Sequence, residues 1–146
     1  MAAPQNLPPP PDPRMLAVLA TVTYAAAVIA LWGFVSLALD VDVVVQADAG
    51  PLLGPAMVLA SCVTTFVAII RAGARATPGL HAALAVASAY GVMLLVGAVG
   101  YTLIRGDLAW FALFIGGYAL SPFVLGAALL AGGAVLGAWA LAKRGR

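Results

Sequence analysis

The sequence predicts an all-α membrane protein, a bundle of four transmembrane helices with both termini on the cytoplasmic side. Three observations carry this. Of 146 residues, 64% are hydrophobic and only 8% charged, seven basic and five acidic, whereas soluble domains carry about 25% charged residues. Mean hydropathy is +1.10. The charges lie at the ends of long uncharged stretches, and the basic ones sort to one side. So few ionisable groups cannot cover a water-facing surface. That excludes soluble-enzyme and disordered readings, and with no dense basic stripe it excludes nucleic acid as a partner.

Residues 1–14 differ from the rest. Pro4, Pro8, Pro9, Pro10, Pro11 and Pro13 are six of the ten prolines. Such a run favours polyproline II and cannot build a packed core, so it reads as a disordered cytoplasmic tail; a docking motif for a proline-binding partner is the alternative. Residues 15–39 carry no charge. At about 1.5 Å per residue they exceed the ~30 Å hydrocarbon thickness, which makes them the first span, between Arg14 and Asp40. The second span covers 52–70, with Pro51 and Pro55 near its start, where a missing N–H costs little. Arg71 and Arg75 close it and Thr77-Pro78-Gly79 forms the turn. The third covers 80–104 and ends at Arg105-Gly106-Asp107.

Residues 108–142 are then uncharged for 35 positions. One straight helix of that length measures about 52 Å, too long for one crossing, and the stretch is too short for two crossings with a turn. Gly116-Gly117 and Pro122 divide it. Residues 109–119 are expected as an interfacial or half-inserted helix and 122–142 as the fourth span; a single long kinked helix is the alternative. Residues 143–146 form a basic tail. The two halves of the chain show a loose repeat, a long span, an outer segment and a Pro-initiated span.

Topology follows from charge. Four spans place Arg14, Arg71, Arg75, Lys143, Arg144 and Arg146 on one side and Arg105 alone on the other, a bias that sets the basic side inside. The expected location is the bacterial plasma membrane, multi-pass. Trp32, Phe34, Tyr101, Trp110 and Tyr118 fall near the outer interface and Trp139 near the inner one, as in aromatic belts. Ala47-Asp48-Ala49 has the small-x-small form of a signal-peptidase site. The apolar stretch before it is far longer than the ~7–15 residues of a signal core, so the first span is expected to remain.

For chemistry the main observation is negative. No Asp, Glu, Lys, Arg or His lies in the middle of any span, although such groups are where ion-coupled transport is usually built. Proton-coupled export is therefore disfavoured, and without a convergent acid, base or nucleophile no enzyme is expected and no catalytic residue is named. Cys62 is buried in lipid, where a thiol is inert. With one cysteine, His81 alone and no glutamate, no metal or cofactor is expected; Asp40, Asp42 and Asp48 read as a solvated acidic loop. Two weaker patterns remain. Ser61, Thr64 and Thr65 share a helix face and read either as a polar face lining a pathway or as ordinary hydrogen bonding within the helix. Small residues recur at helical spacing at Ala56 and Ala60, at Ala83, Ala87 and Gly91, and at Gly133 and Gly137. Such stripes let helices approach closely, inside one bundle or against a partner or second copy.

The stretch from Gly33 to Met57, above all Asp48-Ala49-Gly50-Pro51-Leu52-Leu53-Gly54-Pro55, resembles small four-helix integral membrane proteins of actinobacteria grouped as an uncharacterised domain family. The resemblance implies the four-helix layout and no activity or site residues. The expected role is a structural or accessory subunit of a membrane complex, with the lipid bilayer and a membrane-protein partner or homo-oligomer as its contacts. The alternative is an uncoupled small-solute channel or facilitator acting as a homo-oligomer and using the Ser61 face.

Overall fold

The computed structural model describes residues 12–44, 46, 48–73 and 77–144. Five helices appear among them, and no strand: α1 (Pro13–Leu39), α2 (Leu53–Ala72), α3 (Pro78–Arg105), α4 (Ala109–Tyr118) and α5 (Pro122–Arg144). All but α4 are long and apolar enough to cross a bilayer, so the protein is a multi-pass membrane protein. The proline-rich segment 1–11 and Ala47 of the small-x-small site lie outside the described residues.

The four long helices each run past the apolar stretch that marked them at one end or both, while α4 stops one residue short of 119, because caps rather than hydropathy set where a helix stops. Asp12 accepts the Arg14 amide at 2.9 Å, and Pro13 follows at the first helical position, so Pro13 and Arg14 belong to α1 and not to a tail. Asp40 ends α1 in the left-handed conformation at φ 52, its amide bonded to Ser36 O. Pro78 opens α3, and Gly106 closes it at φ 69 with its amide on Thr102 O. A residue without a Cβ takes that left-handed cap with no steric cost. Lys143 and Arg144, expected in the basic tail, form the last turn of α5. Cations there complement the helix dipole, and Lys143 lies 5.2 Å from the Trp139 ring centroid.

Contacts fix the directions. Trp32 lies against Gly54 and Tyr24 against Ser61, so α1 and α2 are antiparallel. Leu53 meets Gly100 and Met57 meets Gly97, so α2 and α3 are antiparallel. Trp32 meets Phe123 and Leu31 meets Gly126, which runs α5 back along α1. The described ends of α1 and α5 therefore share one end of the bundle, the termini end. The other, the capped end, carries the α1–α2 loop and the start of α4.

The core is built from small side chains with a few large ones. Ala85, Ala89, Ala98, Ala127 and Ala131 are fully buried beside Tyr24, Met93, Tyr101 and Phe114. Many large aliphatics point outward instead, among them Val18, Val22 and Ile29 of α1 and Leu59, Leu84 and Leu129 of α2, α3 and α5. In water such a surface would be an aggregation site. In a bilayer it is the lipid face, and alanine inside is what lets the backbones approach.

Candidate functional site

The 35-residue uncharged stretch resolves into a half-height helix followed by a full one. Trp110 of α4 packs edge-on against Tyr101, centroids 5.5 Å apart, and under Arg105 at 4.8 Å. Phe114 lies against Tyr101 at 5.8 Å and fills the space over Gly97. The Ala119 carbonyl accepts the Tyr90 hydroxyl at 2.9 Å. Successive α4 positions thus meet successively lower positions on α3, so α4 descends antiparallel along the capped half of α3. This is the half-inserted arrangement, not a helix lying flat.

Descent alongside α3 leaves a broken backbone between Tyr118 and Pro122, at a depth where lipid offers no hydrogen bonds. The break is satisfied from within. Ser121 N–H bonds Tyr118 O at 3.0 Å and Leu125 N–H bonds Ser121 O at 3.0 Å. Pro122 has no N–H to leave open. Tyr90 donates to Ala119 O, and Trp32 Nε1 donates to Phe123 O at 2.9 Å with its ring edge-on to Phe123.

The capped end is held by a mixed polar and aromatic cluster. Arg105 Nε meets Asp48 Oδ2 at 2.6 Å and also donates to the Tyr101 hydroxyl at 3.1 Å. That hydroxyl in turn donates to Asp48 Oδ1 at 3.1 Å. Tyr118, stacked on Phe114 at 4.2 Å, donates to Gln46 Oε1 at 2.7 Å. The α1–α2 loop is thereby tied to α3 by Asp48 and to α4 by Gln46, and Asp107 caps α4 through the Ala109 amide.

The belt reading of the aromatics is corrected here. Phe34 is 74% exposed, as a belt residue should be, but Trp32, Tyr101 and Tyr118 are buried. Their polar atoms meet protein groups instead of headgroups, because the broken helix and the loop need donors at those positions. A buried Trp or Tyr needs a partner, yet sequence position near a span end does not say whether lipid or protein supplies it.

The Ser61 face is divided by the structure. Ser61 and Thr65 are fully buried between α1 and α2. Tyr24 donates to Ser61 Oγ at 3.0 Å, and Ser61 donates to Val58 O at 2.7 Å. Thr64, partly buried, turns its hydroxyl back to Ser61 O at 2.9 Å. Tyr24 is the polar span residue that sequence reasoning did not link to this face: a hydroxyl on α1 facing two on α2, with no spacing pattern to connect them.

The small residues sort by face. Ala56, Ala83, Ala87, Gly91, Gly133 and Gly137 are exposed and Ala60 is half-buried. Close packing inside the bundle falls to other small residues. A Cβ on Gly97 would lie 2.5 Å from the Phe114 ring, and one on Gly100 would lie 2.5 Å from Leu53. On Gly132 it would meet Val86 at 2.7 Å. Gly91, Gly133 and Gly137 have nothing within 4 Å of that position.

The exposed set on α3 has a specific place. Seven residues return a helix to nearly the same face, with about 20° of drift. Counting back by sevens, Gly97 and Tyr90 lead to Ala83, Tyr101 and Leu94 lead to Ala87, and Arg105 and Ala98 lead to Gly91. Ala83 and Ala87 are therefore the termini-end continuation of the stripe that α4 covers, and Gly91 lies at its edge, level with the end of α4. No group of three or more metal-ligating side chains occurs among the described residues.

The chain matches a family of unknown function, DUF6121, over residues 13–146. It belongs to that family. The match begins where α1 begins and takes in every described helix. No curated protein and no solved structure matches the chain.

Proposed function

We propose that this DUF6121 protein is an accessory subunit of a larger membrane complex, docking a transmembrane helix of a partner protein on the termini-end half of the α3 stripe. The observation that supports it is the uncovered pair Ala83 and Ala87, in register with the face that α4 occupies above, with the open Gly91 beside the end of α4. In lipid no hydrophobic force drives helices together, so association rests on close packing at small side chains. This run offers that contact, and the end of α4 limits how far along α3 a second helix can reach. The excess of Lys and Arg on the termini side supports a plasma-membrane orientation with both ends cytoplasmic. No side chain is given a catalytic role.

The test is purification of the C-terminally tagged protein from native membranes in mild detergent, beside Ala87→Leu. The reading expects a stoichiometric membrane partner with the parent chain and its loss with the variant, both chains remaining folded. A parent chain that comes alone and monomeric overturns it, and one that comes only with itself replaces the partner by a second copy.

The facilitator reading draws on one observation, the burial of Ser61 and Thr65 between helices. Solute leak from liposomes that changes with Ser61→Ala or Thr65→Val supports it; no leak across a broad solute panel excludes it.

A further inference from the structure

The two ends of the bundle carry opposite charge. Asp40, Asp42, Asp48 and Asp107 lie at the capped end with Arg105. The one ion pair among the described residues, Arg105 with Asp48, is there. The termini end carries Arg14, Arg71, Lys143 and Arg144, all exposed. A buried cluster of Ala17, Ile69, Ala72, Ala82, Val135 and Ala138 draws those helix ends together. Asp12, the acid of that end among the described residues, caps the Arg14 amide. No carboxylate among the described residues forms an ion pair with any of the four cations.

Each cation also stands over an apolar side chain of its own helix. Residues three or four places apart share a helix face. Toward the bilayer middle, exposed Val18 follows Arg14, exposed Val67 precedes Arg71 and exposed Leu141 precedes Arg144. Lys143 lies against the Trp139 ring, four places back. A phospholipid has the same order, a phosphate above acyl chains. A soluble polyanion would match the charge and leave the apolar half of each pair unused. We propose that the termini end binds anionic phospholipid headgroups, the cations taking lipid phosphates while the acyl chains lie on the apolar side chains beneath. Basic groups at this level attract anionic lipid, and their long stems reach the phosphates from helix ends that remain in the apolar layer. The choline of a zwitterionic lipid offsets its phosphate, so the preference falls on lipids of net negative charge. The site is independent of the docking face on α3 and of which side of the membrane the termini occupy.

Spin-label resonance on the full chain in phosphatidylcholine vesicles tests it. A trace of spin-labelled phosphatidylglycerol or spin-labelled phosphatidylcholine reports which lipid the protein surface holds. Phosphatidylglycerol should associate several-fold more strongly. The preference should fall toward unity at ~1 M salt, where the Debye length is about 3 Å. Replacing Arg14, Arg71, Lys143 and Arg144 together by Gln should abolish it. Replacing the three arginines by Lys should keep it, as should Arg105→Gln at the capped end. Equal association of the two lipids with the parent chain overturns the proposal, and so does a preference that salt leaves unchanged. Both outcomes are read on the parent, so they decide even where the four-Gln variant does not fold. Loss of the preference in Arg105→Gln would put the lipid at the other end and also overturns it. Displacement of the bound phosphatidylglycerol by inorganic phosphate at the same ionic strength would mean a soluble-anion site, and overturns it as well.

Discussion

Gly97 and Gly91 lie less than two turns apart on α3 and do opposite things. A Cβ on Gly97 would collide with the Phe114 ring at 2.5 and 2.7 Å and press on Met57 at 3.1 Å; one on Gly91 would meet nothing within 4 Å. The end of α4 is bonded to Tyr90, one residue to the termini side of Gly91, so the difference is one of face: six residues turn the helix by about 120° and carry Gly91 to the edge of the side that α4 occupies. On the capped side of that bond, α3 is closed by aromatic rings and a hydrogen-bonded loop. On the termini side, the same stripe is open and small. In a chain this apolar, residue type does not say which face is inside. What decides is whether a second backbone is there, and a half-height helix makes that change partway along one helix.

The largest expected effect comes from Gly97→Leu. The added side chain must displace Phe114 and Met57 at once, and overpacking of this kind costs about 1–3 kcal/mol or more. Loss of helicity or a fall in Tm by several degrees in detergent is the expected result. An unchanged Tm would mean that α4 does not rest on Gly97. Trp32→Phe comes next. It keeps a ring near Phe123 but removes the N–H that Phe123 O accepts, for about 1–2 kcal/mol together with the lost area. Tyr90→Phe leaves Ala119 O short of its partner at the break and should cost about 1 kcal/mol. It should also raise amide exchange in α4 more than in α2, and equal protection in the two helices would contradict the stapling of the break by Tyr90.

These sites show what was legible beforehand. The four spans could be read because lipid demands about 20 apolar residues per crossing and charges cannot enter cheaply. The anomaly at 108–142 could be read as length that fits neither one crossing nor two, and Pro122 placed the start of α5 to the residue. Which small residues face inward could not. Hydrophobic periodicity gives a face when polar side chains mark the other one, and here both faces are apolar, so Gly97 and Gly91 look alike on paper. The Asp48–Arg105 pair joins positions 57 apart in the chain across a loop, and nothing in local spacing connects them. Tyr24 was visible as a polar residue in a span, but its partners lie on another helix.

A smaller effect is expected at the capped end. Asp48→Ala removes the carboxylate that faces Arg105 and Tyr101. Arg105 and Asp48 are 41% and 44% exposed, so solvent and salt screen the pair. The variant should lower Tm less than Trp32→Phe does, and the gap from the parent should shrink as salt is raised. A loss that does not respond to salt would shift the weight from the ion pair to the buried Tyr101 hydroxyl, and Tyr101→Phe would then reproduce it.

The smallest effect on stability sharpens the comparison most. Gly91→Leu makes the same substitution as Gly97→Leu in the same helix, but into open space, so it should change stability by no more than about 0.5 kcal/mol, as surface substitutions do; the better helix propensity of Leu adds a small gain. Unfolding in detergent should therefore barely distinguish it from the parent. In native membranes the outcome should reverse: Gly91→Leu keeps the fold and loses the partner, because a bulky side chain now stands where a second backbone has to approach. Had the open stripe only faced lipid, the extra leucine would be one more apolar side chain among many, and recovery of the partner would be unaltered. The matched pair thus separates a glycine kept for the bundle's own packing from one that leaves room for another chain.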